Sequence, residues 1–85
     1  MYFVYILQCV DGSFYTGCTT NMAERLKKHN AGKGARYTRG RIPVEVVYIE
    51  EAADRSAALK REYAIKQFSR QQKEQLVNGW KNEDA

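Results

Sequence analysis

Residues 2–9 (Tyr-Phe-Val-Tyr-Ile-Leu-Gln-Cys) form an aromatic and β-branched run, the composition of a strand buried on both faces. Asp11-Gly12 is a hairpin turn signal, and Ser13 to Cys18 reads as the return strand. Asn21 then caps a helix over about 21–31, with Glu24 three residues on in capping-box spacing and Gly32 as its stop. Met22 and Leu26 stand one turn apart on its apolar side. Residues 32–41 hold three glycines, four basic residues and no apolar period, which predicts a loop. Pro43 opens a third strand, Val44 to Glu50, and Asp54 caps a second helix from about Arg55 to Gln67. Ser69 and Gln72 form another capping-box pair, starting a helix expected to end near Asn78-Gly79, with a frayed tail over 80–85. The order β-β-α-β-α-α predicts an α+β fold, a three-stranded antiparallel sheet flanked by helices.

At 85 residues the chain has room for one domain, and no linker or repeat divides it. Its longest apolar run, Tyr2 to Leu7, is far short of the ~20 residues a membrane helix needs, and no secretory signal pattern surrounds it. A soluble cytoplasmic protein with no membrane partner is the expectation. Cys9 and Cys18 are too few for a disulfide scaffold, and with a single histidine they do not make a structural zinc site, so two reduced thiols are expected.

The net charge of +4 is modest, but its distribution is not. Arg25, Lys27, Lys28, Lys33, Arg36, Arg39 and Arg41 fall within residues 21–41 against Glu24 alone. Such a block favours phosphate over a neutral ligand; a solvated helix face followed by a floppy basic loop is the plainer alternative. With three glycines and no apolar anchor, the loop is expected to order only on nucleic acid.

Three features sit badly with a plain fold. Glu62 shares a helix stripe with Ala58, Leu59 and Ile65, so a carboxylate points at the sheet and needs a cation. Arg25, a neighbouring lysine or a metal ion would each serve. Arg25 and His29 lie one turn apart on the first helix, with Lys28 beside them, on a face that is either wet or chemically engaged. Six tyrosines stand in the chain, two of them, Tyr5 and Tyr15, on paired strands. No Ser-His-Asp or Cys-His set can be assembled, and Gly12, Gly17 and Gly32 do not have P-loop spacing. What survives is phosphate-directed chemistry.

These residues resemble the GIY-YIG nucleases. The first signature triplet is degenerate here, Phe3-Val4-Tyr5 or Val4-Tyr5-Ile6, and lacks its glycine, but its tyrosine is kept as Tyr5. The second is Tyr15-Thr16-Gly17, ten residues later, as in the family. Arg25-Leu26-Lys27-Lys28-His29 is similar to the family's arginine and histidine segment, and Arg61-Glu62 to its Arg-Glu step. Gly32 to Thr38 and Ile65 to Ser69 look like the small single-domain bacterial members. The likeness spans residues 2–78, and a family asparagine aligns loosely with Asn78.

The resemblance implies metal-dependent hydrolysis of a phosphodiester, leaving a 5′-phosphate and a 3′-hydroxyl. Nucleic acid is the implied partner, DNA first, with RNA left open. Glu62 would hold Mg²⁺ or Mn²⁺, and Arg25 a non-bridging phosphate oxygen. Tyr5 would be the general base or orient the attacking water, with Tyr15 and His29 in support. Lys28, Lys33, Arg36, Tyr37 and Arg39 would contact the strand. A phenol that titrates near ~10 is about 4 kcal/mol uphill as a base at pH ~7, which makes His29 a competitor for the role. A shared site for both tyrosines also sets the hairpin register. A two-residue Asp11-Gly12 turn would point Tyr15 away from Tyr5. A three-residue loop, Val10-Asp11-Gly12, with Gly12 left-handed, pairs Cys9 with Ser13 and Tyr5 with Gly17, puts both tyrosines on one face, and would let phosphate approach at Gly17.

Overall fold

The apolar run at the start of the chain becomes β1 (Tyr2–Gln8), the middle strand of an antiparallel sheet ordered β2-β1-β3. Its four central residues, Val4 to Leu7, are wholly buried because both faces of the sheet are covered. The structure, a computed structural model, describes residues 1–84. Around β1 lie β2 (Phe14–Thr19), helix α1 (Met22–Asn30), a one-turn helix α2 (Arg36–Arg39), β3 (Glu45–Ala52), α3 (Arg55–Lys66) and α4 (Arg70–Asp84).

The hairpin has the three-residue loop. Cys9 N–H donates to the Ser13 carbonyl at 2.8 Å, Gly12 N–H closes back on the Cys9 carbonyl at 2.9 Å, and Gly12 takes φ +86°. A left-handed residue here favours glycine, which has no Cβ to clash. The resulting register pairs Tyr5 with Gly17 and Leu7 with Tyr15. Tyr5 and Tyr15 therefore share a face.

Side-chain alternation sorts the core into two layers. On one face Val4, Ile6 and Val47 pack against Ala58 and Ile65 of α3 and Val77 of α4. On the other, Tyr5, Leu7, Cys9 and Val44 pack with Tyr15 and with Met22 and Leu26 of α1. Each fully buried aliphatic contributes roughly 1.5–3 kcal/mol. Where β1 meets β3 the register shifts between Ile6 and Leu7, leaving Val47 as the extra residue of a bulge.

Helix ends follow the capping residues. Asn21 Oδ1 accepts from Glu24 N–H at 3.0 Å, Asp54 Oδ1 from Ala57 N–H at 2.8 Å, and Ser69 and Gln72 bond reciprocally at 2.9 and 3.2 Å. Gly32, at φ +76°, ends α1 as expected. The Asn30 side chain then clamps the return of the chain. Its Oδ1 accepts from Val44 N–H at 2.7 Å and its Nδ2 donates to the Val44 carbonyl at 3.1 Å.

Four expectations need correction. Residues 32–41 are not a bare loop: α2 forms within them, and Thr38 is fully buried. Within it a polar anchor, Thr38 against His29 and the Ala35 carbonyl, stands in place of the missing apolar one. Helix α4 continues through Gly79, whose backbone is not left-handed, past the expected end at Asn78-Gly79. Residues 80–84 of the expected frayed tail are helical, with Trp80 half-buried, while Ala85 lies outside the described residues. Leu59, placed on the buried stripe of α3, is exposed.

Thr16 sits on β2 beneath α3 with its hydroxyl oxygen buried and unpaired. Replacing it by valine keeps the branched shape that suits a strand and removes an unsatisfied polar group. Thr16→Val should raise unfolding free energy by about 1 kcal/mol, read as a higher urea midpoint at unchanged m-value. A midpoint that falls would show that the hydroxyl is paired in solution.

Candidate active site

The edge strand β2 is where residues from both sheet faces meet. Tyr5 rises from β1 beneath it, and its hydroxyl lies over Gly17: a Cβ at that position would come within 2.5 Å of the Tyr5 oxygen. Gly17 is therefore required to house the Tyr5 ring, where the sequence suggested room for a phosphate. From the α1 side, the Tyr5 hydroxyl and His29 Nε2 are 3.2 Å apart, and the Tyr15 and His29 rings are 5.4 Å apart. Arg25, one turn before His29, reaches over the strand edge with Nη1 3.5 Å from the Cys18 carbonyl.

His29 is 1% exposed, so the helix face that carries it is engaged rather than wet. Its Nδ1 is 2.8 Å from Thr38 Oγ1, and Gly34 packs so closely on its ring that any side chain there would collide. Burial lowers its pKa below the ordinary 6.5, and the Arg25 charge lowers it further, so His29 is a neutral imidazole at pH 7.

From the α3 side comes Glu62. Its carboxylate is paired with Lys66 at 2.8 Å, the neighbouring-lysine partner foreseen for it, and its side chain is only 17% exposed. The ion pair holds the Lys66 ammonium above its usual range. Lys66 Nζ in turn stands 6.0 Å from the Tyr15 ring centre, which locates the end of α3 against the same strand edge. Burial pushes the Cys18 thiol up to about 11, and hydrogen bonding to Glu62 adds to that, so Cys18 is a protonated, structural thiol. Both cysteines are free, as expected.

Burial also dominates Tyr5, pushing its hydroxyl up to about 12; Arg25 pulls against the rise, while the charge of Glu62 adds to it. Losing that proton at pH 7 costs about 7 kcal/mol. Tyr5 in this state is a protonated phenol hydrogen-bonded to His29, not a phenolate.

A groove opens beside this cluster, lined by Tyr15, Arg25, Lys28, His29, Lys33, Gly34 and Ala35. Two lysines and an arginine in its lining favour an anion there. Arg36 and Arg39 stand exposed on α2. Tyr37, which stays exposed, stacks on Tyr15 with centroids 6.1 Å apart, and the Arg41 guanidinium lies 4.2 Å from its centre. Asn78 is exposed on α4, which packs beside β3 at the opposite edge of the sheet, and does not join the cluster.

Among the described residues no three His, Cys, Asp or Glu side chains gather as a metal cage. Glu62 suits a different arrangement, in which Mg²⁺ or Mn²⁺ takes one protein carboxylate and fills its remaining positions with water and phosphate oxygens. Sequence reasoning missed Thr38 and Gly34, which touch His29 only because the chain doubles back after α1. Nothing local marks them out.

Comparison with known proteins gives the family. The sequence profile described as the GIY-YIG catalytic domain matches residues 1–75. A UPF0213 protein of Desulfotalea psychrophila is 61% identical over 77 residues, covering 89% of this chain and 70% of its own. One from Haloquadratum walsbyi is 53% identical over 76 residues, covering 89% and 85%. The solution NMR structure of a UPF0213 protein from Bacillus halodurans superposes with a TM-score of 0.58 at 51% identity, covering 92% of this chain and 84% of that one. A second NMR structure, from E. faecalis, gives 0.62 at 45% identity, covering 92% and 83%. With its paired tyrosines, Arg25 and Glu62 drawn to one strand edge and the profile matched over nearly its whole length, the chain belongs to the GIY-YIG family.

Proposed function

We propose that this protein is a metal-dependent endonuclease that hydrolyses phosphodiester bonds of nucleic acid, DNA in the first instance, leaving a 5′-phosphate and a 3′-hydroxyl. The observation that carries the reading is the convergence of Tyr5, His29, Arg25 and Glu62 on the Gly17 edge beside a cationic groove. Phosphate binding alone calls for the cations. It does not call for a half-buried carboxylate beside a buried tyrosine.

Arg25 would take a non-bridging oxygen of the scissile phosphate, where negative charge grows in the transition state. Lys28 and Lys33 would hold neighbouring phosphates along the groove, with Arg36 and Arg39 reaching the flanking backbone. Glu62 would hold Mg²⁺ or Mn²⁺, which supplies charge neutralisation at the phosphate. Doing so requires Lys66 to let go of the carboxylate, and an arriving phosphate gives that ammonium another partner. Tyr5 would orient the attacking water and take its proton, passing its own to His29, with Tyr15 walling the groove.

The deciding experiment is cleavage of single-stranded, duplex and branched DNA and of RNA, with and without Mg²⁺ or Mn²⁺. Cleavage that needs the metal is expected; tight binding of every substrate with no product would mark a silent binding module. Glu62→Gln should lower the rate at least about 100-fold while thermal stability and nucleic-acid binding persist. A variant that cleaves at the wild-type rate removes Glu62 from the mechanism, and one that unfolds makes its pairing with Lys66 structural.

The charges set two further outcomes. Neutralising Lys33, Arg36 and Arg39 together should weaken binding and flatten its salt dependence by up to about one logarithmic unit for each phosphate no longer neutralised. Unchanged affinity and slope would place the binding surface elsewhere. Because His29 titrates below 6.5 and must be neutral to accept a proton, the rate should be at its plateau at pH 7 and fall only below pH 6.5. An acid limb centred above pH 7 would take His29 out of that role.

A further inference from the structure

Thr38 lies outside the groove, carries no charge and is completely buried. Its hydrogen bonds fix the state of His29. Thr38 Oγ1 is 2.9 Å from the Ala35 carbonyl oxygen. Two oxygens at that distance need a hydrogen between them, and a carbonyl has none to give, so the threonine hydroxyl donates. Its hydrogen is then spent. The same Oγ1 is 2.8 Å from His29 Nδ1, and the hydrogen of that contact has to come from the ring. His29 is thus the Nδ1–H tautomer, with the Nε2 lone pair pointing at the Tyr5 hydroxyl 3.2 Å away.

The reverse tautomer fails on the same count. With hydrogen on Nε2, the ring would donate to Tyr5, and the buried Tyr5 proton would lose its acceptor. Gly34 pressing on the ring denies it the freedom to swing to other partners.

We propose that Thr38 is a positioning residue for the reaction. Held by the Ala35 carbonyl, it fixes His29 as the Nδ1–H tautomer, so that Nε2 can receive the proton of Tyr5. In that step the Tyr5 O–H bond breaks and an Nε2–H bond forms, leaving the electron pair on the phenolate oxygen. The attacking water gives that oxygen a proton as its own oxygen bonds to phosphorus. The P–O bond to the leaving 3′-oxygen breaks with its electron pair, and solvent supplies that oxygen's proton. His29 returns its extra proton to solvent. Throughout, Nδ1–H stays on Thr38. This inference rests on the nuclease function proposed for the site, but its central claim has a readout that needs no substrate.

The test is the ¹⁵N–¹H correlation spectrum of the His29 ring near pH 7, in the full chain without metal. Wild type should show a protonated Nδ1 and an unprotonated Nε2. Thr38→Val, which keeps the shape and loses the hydroxyl, should shift the ring towards the Nε2–H form. Cleavage should fall by about 10–100-fold in kcat at little changed KM. Thr38→Ser should restore both the tautomer and most of the rate. A wild-type spectrum with hydrogen on Nε2 overturns the proposal by itself, even if Thr38→Val fails to fold. So does a folded Thr38→Val that keeps the Nδ1–H ring and the wild-type kcat. Should wild type show the expected tautomer yet cleave none of the four substrates, the nuclease function fails and the reaction role of Thr38 falls with it. An active enzyme with the wrong tautomer sinks only the role of Thr38.

Discussion

A tyrosine ring laid across a glycine on a neighbouring strand is the contact on which the arrangement of this molecule turns. Tyr5 is fully buried, yet its hydroxyl must reach the strand edge where Arg25 and Glu62 act on it. It gets there only because Gly17, its partner across the β1–β2 pair, has no side chain to occupy the same space. The pairing depends in turn on the hairpin loop, since one residue fewer would shift the register and send Tyr15 to the opposite face. Gly12 in its left-handed conformation makes the three-residue loop possible. A turn residue five positions away thus decides which side chains face one another at the edge.

The second constraint is the polar layer beneath α1 and α2. Burying a histidine and a threonine in a chain of 85 residues costs desolvation unless every donor and acceptor is matched. Here the matches run in one direction, from Tyr5 through His29 and Thr38 to the Ala35 carbonyl. That chain does for residues 34–39 what an apolar anchor does elsewhere. The Asn30 clamp on Val44 and the Arg41 contacts to Asp11 and the Tyr37 carbonyl tie down the backbone between α2 and β3. A glycine-rich, cationic segment is held in place without burying a large hydrophobic residue. Its charges stay on the surface beside the groove.

What could be read from the sequence is what acts over short distances. Asn21, Asp54 and Ser69 cap the helices they precede, because a capping bond spans only three residues. The hairpin register followed once Tyr5 and Tyr15 were required to share a face. The carboxylate on the α3 stripe found a lysine one turn along. The misses all depend on the chain returning on itself. Thr38 looks like any loop threonine until His29 is placed opposite it. Gly79 reads as a helix stop, but Trp80 is half-buried and α4 packs along β3, so packing carries the helix onward. Leu59 lies three residues before Glu62, but it faces solvent while Ala58 and Ile65 pack into the core.

Building the site at a sheet edge resolves a conflict a domain this small would otherwise face. The core has two thin layers, and a charged cluster inside either would weaken it. At the β2 edge the cluster can borrow from both. The α1 layer supplies Arg25, His29 and the two tyrosines; the α3 layer supplies Glu62 with its Lys66 partner. Opposite charges therefore approach the same strand edge from opposite sides of the sheet, where both act on Cys18. Arg25 and Glu62 stay partly hydrated, which limits the desolvation cost, while Tyr5 and His29 are driven deep. That depth raises the cost of ionising the Tyr5 hydroxyl and brings the same hydroxyl against His29. If the protein is the nuclease we propose, a proton acceptor fixed beforehand by Thr38 is what makes such a buried phenol usable at all.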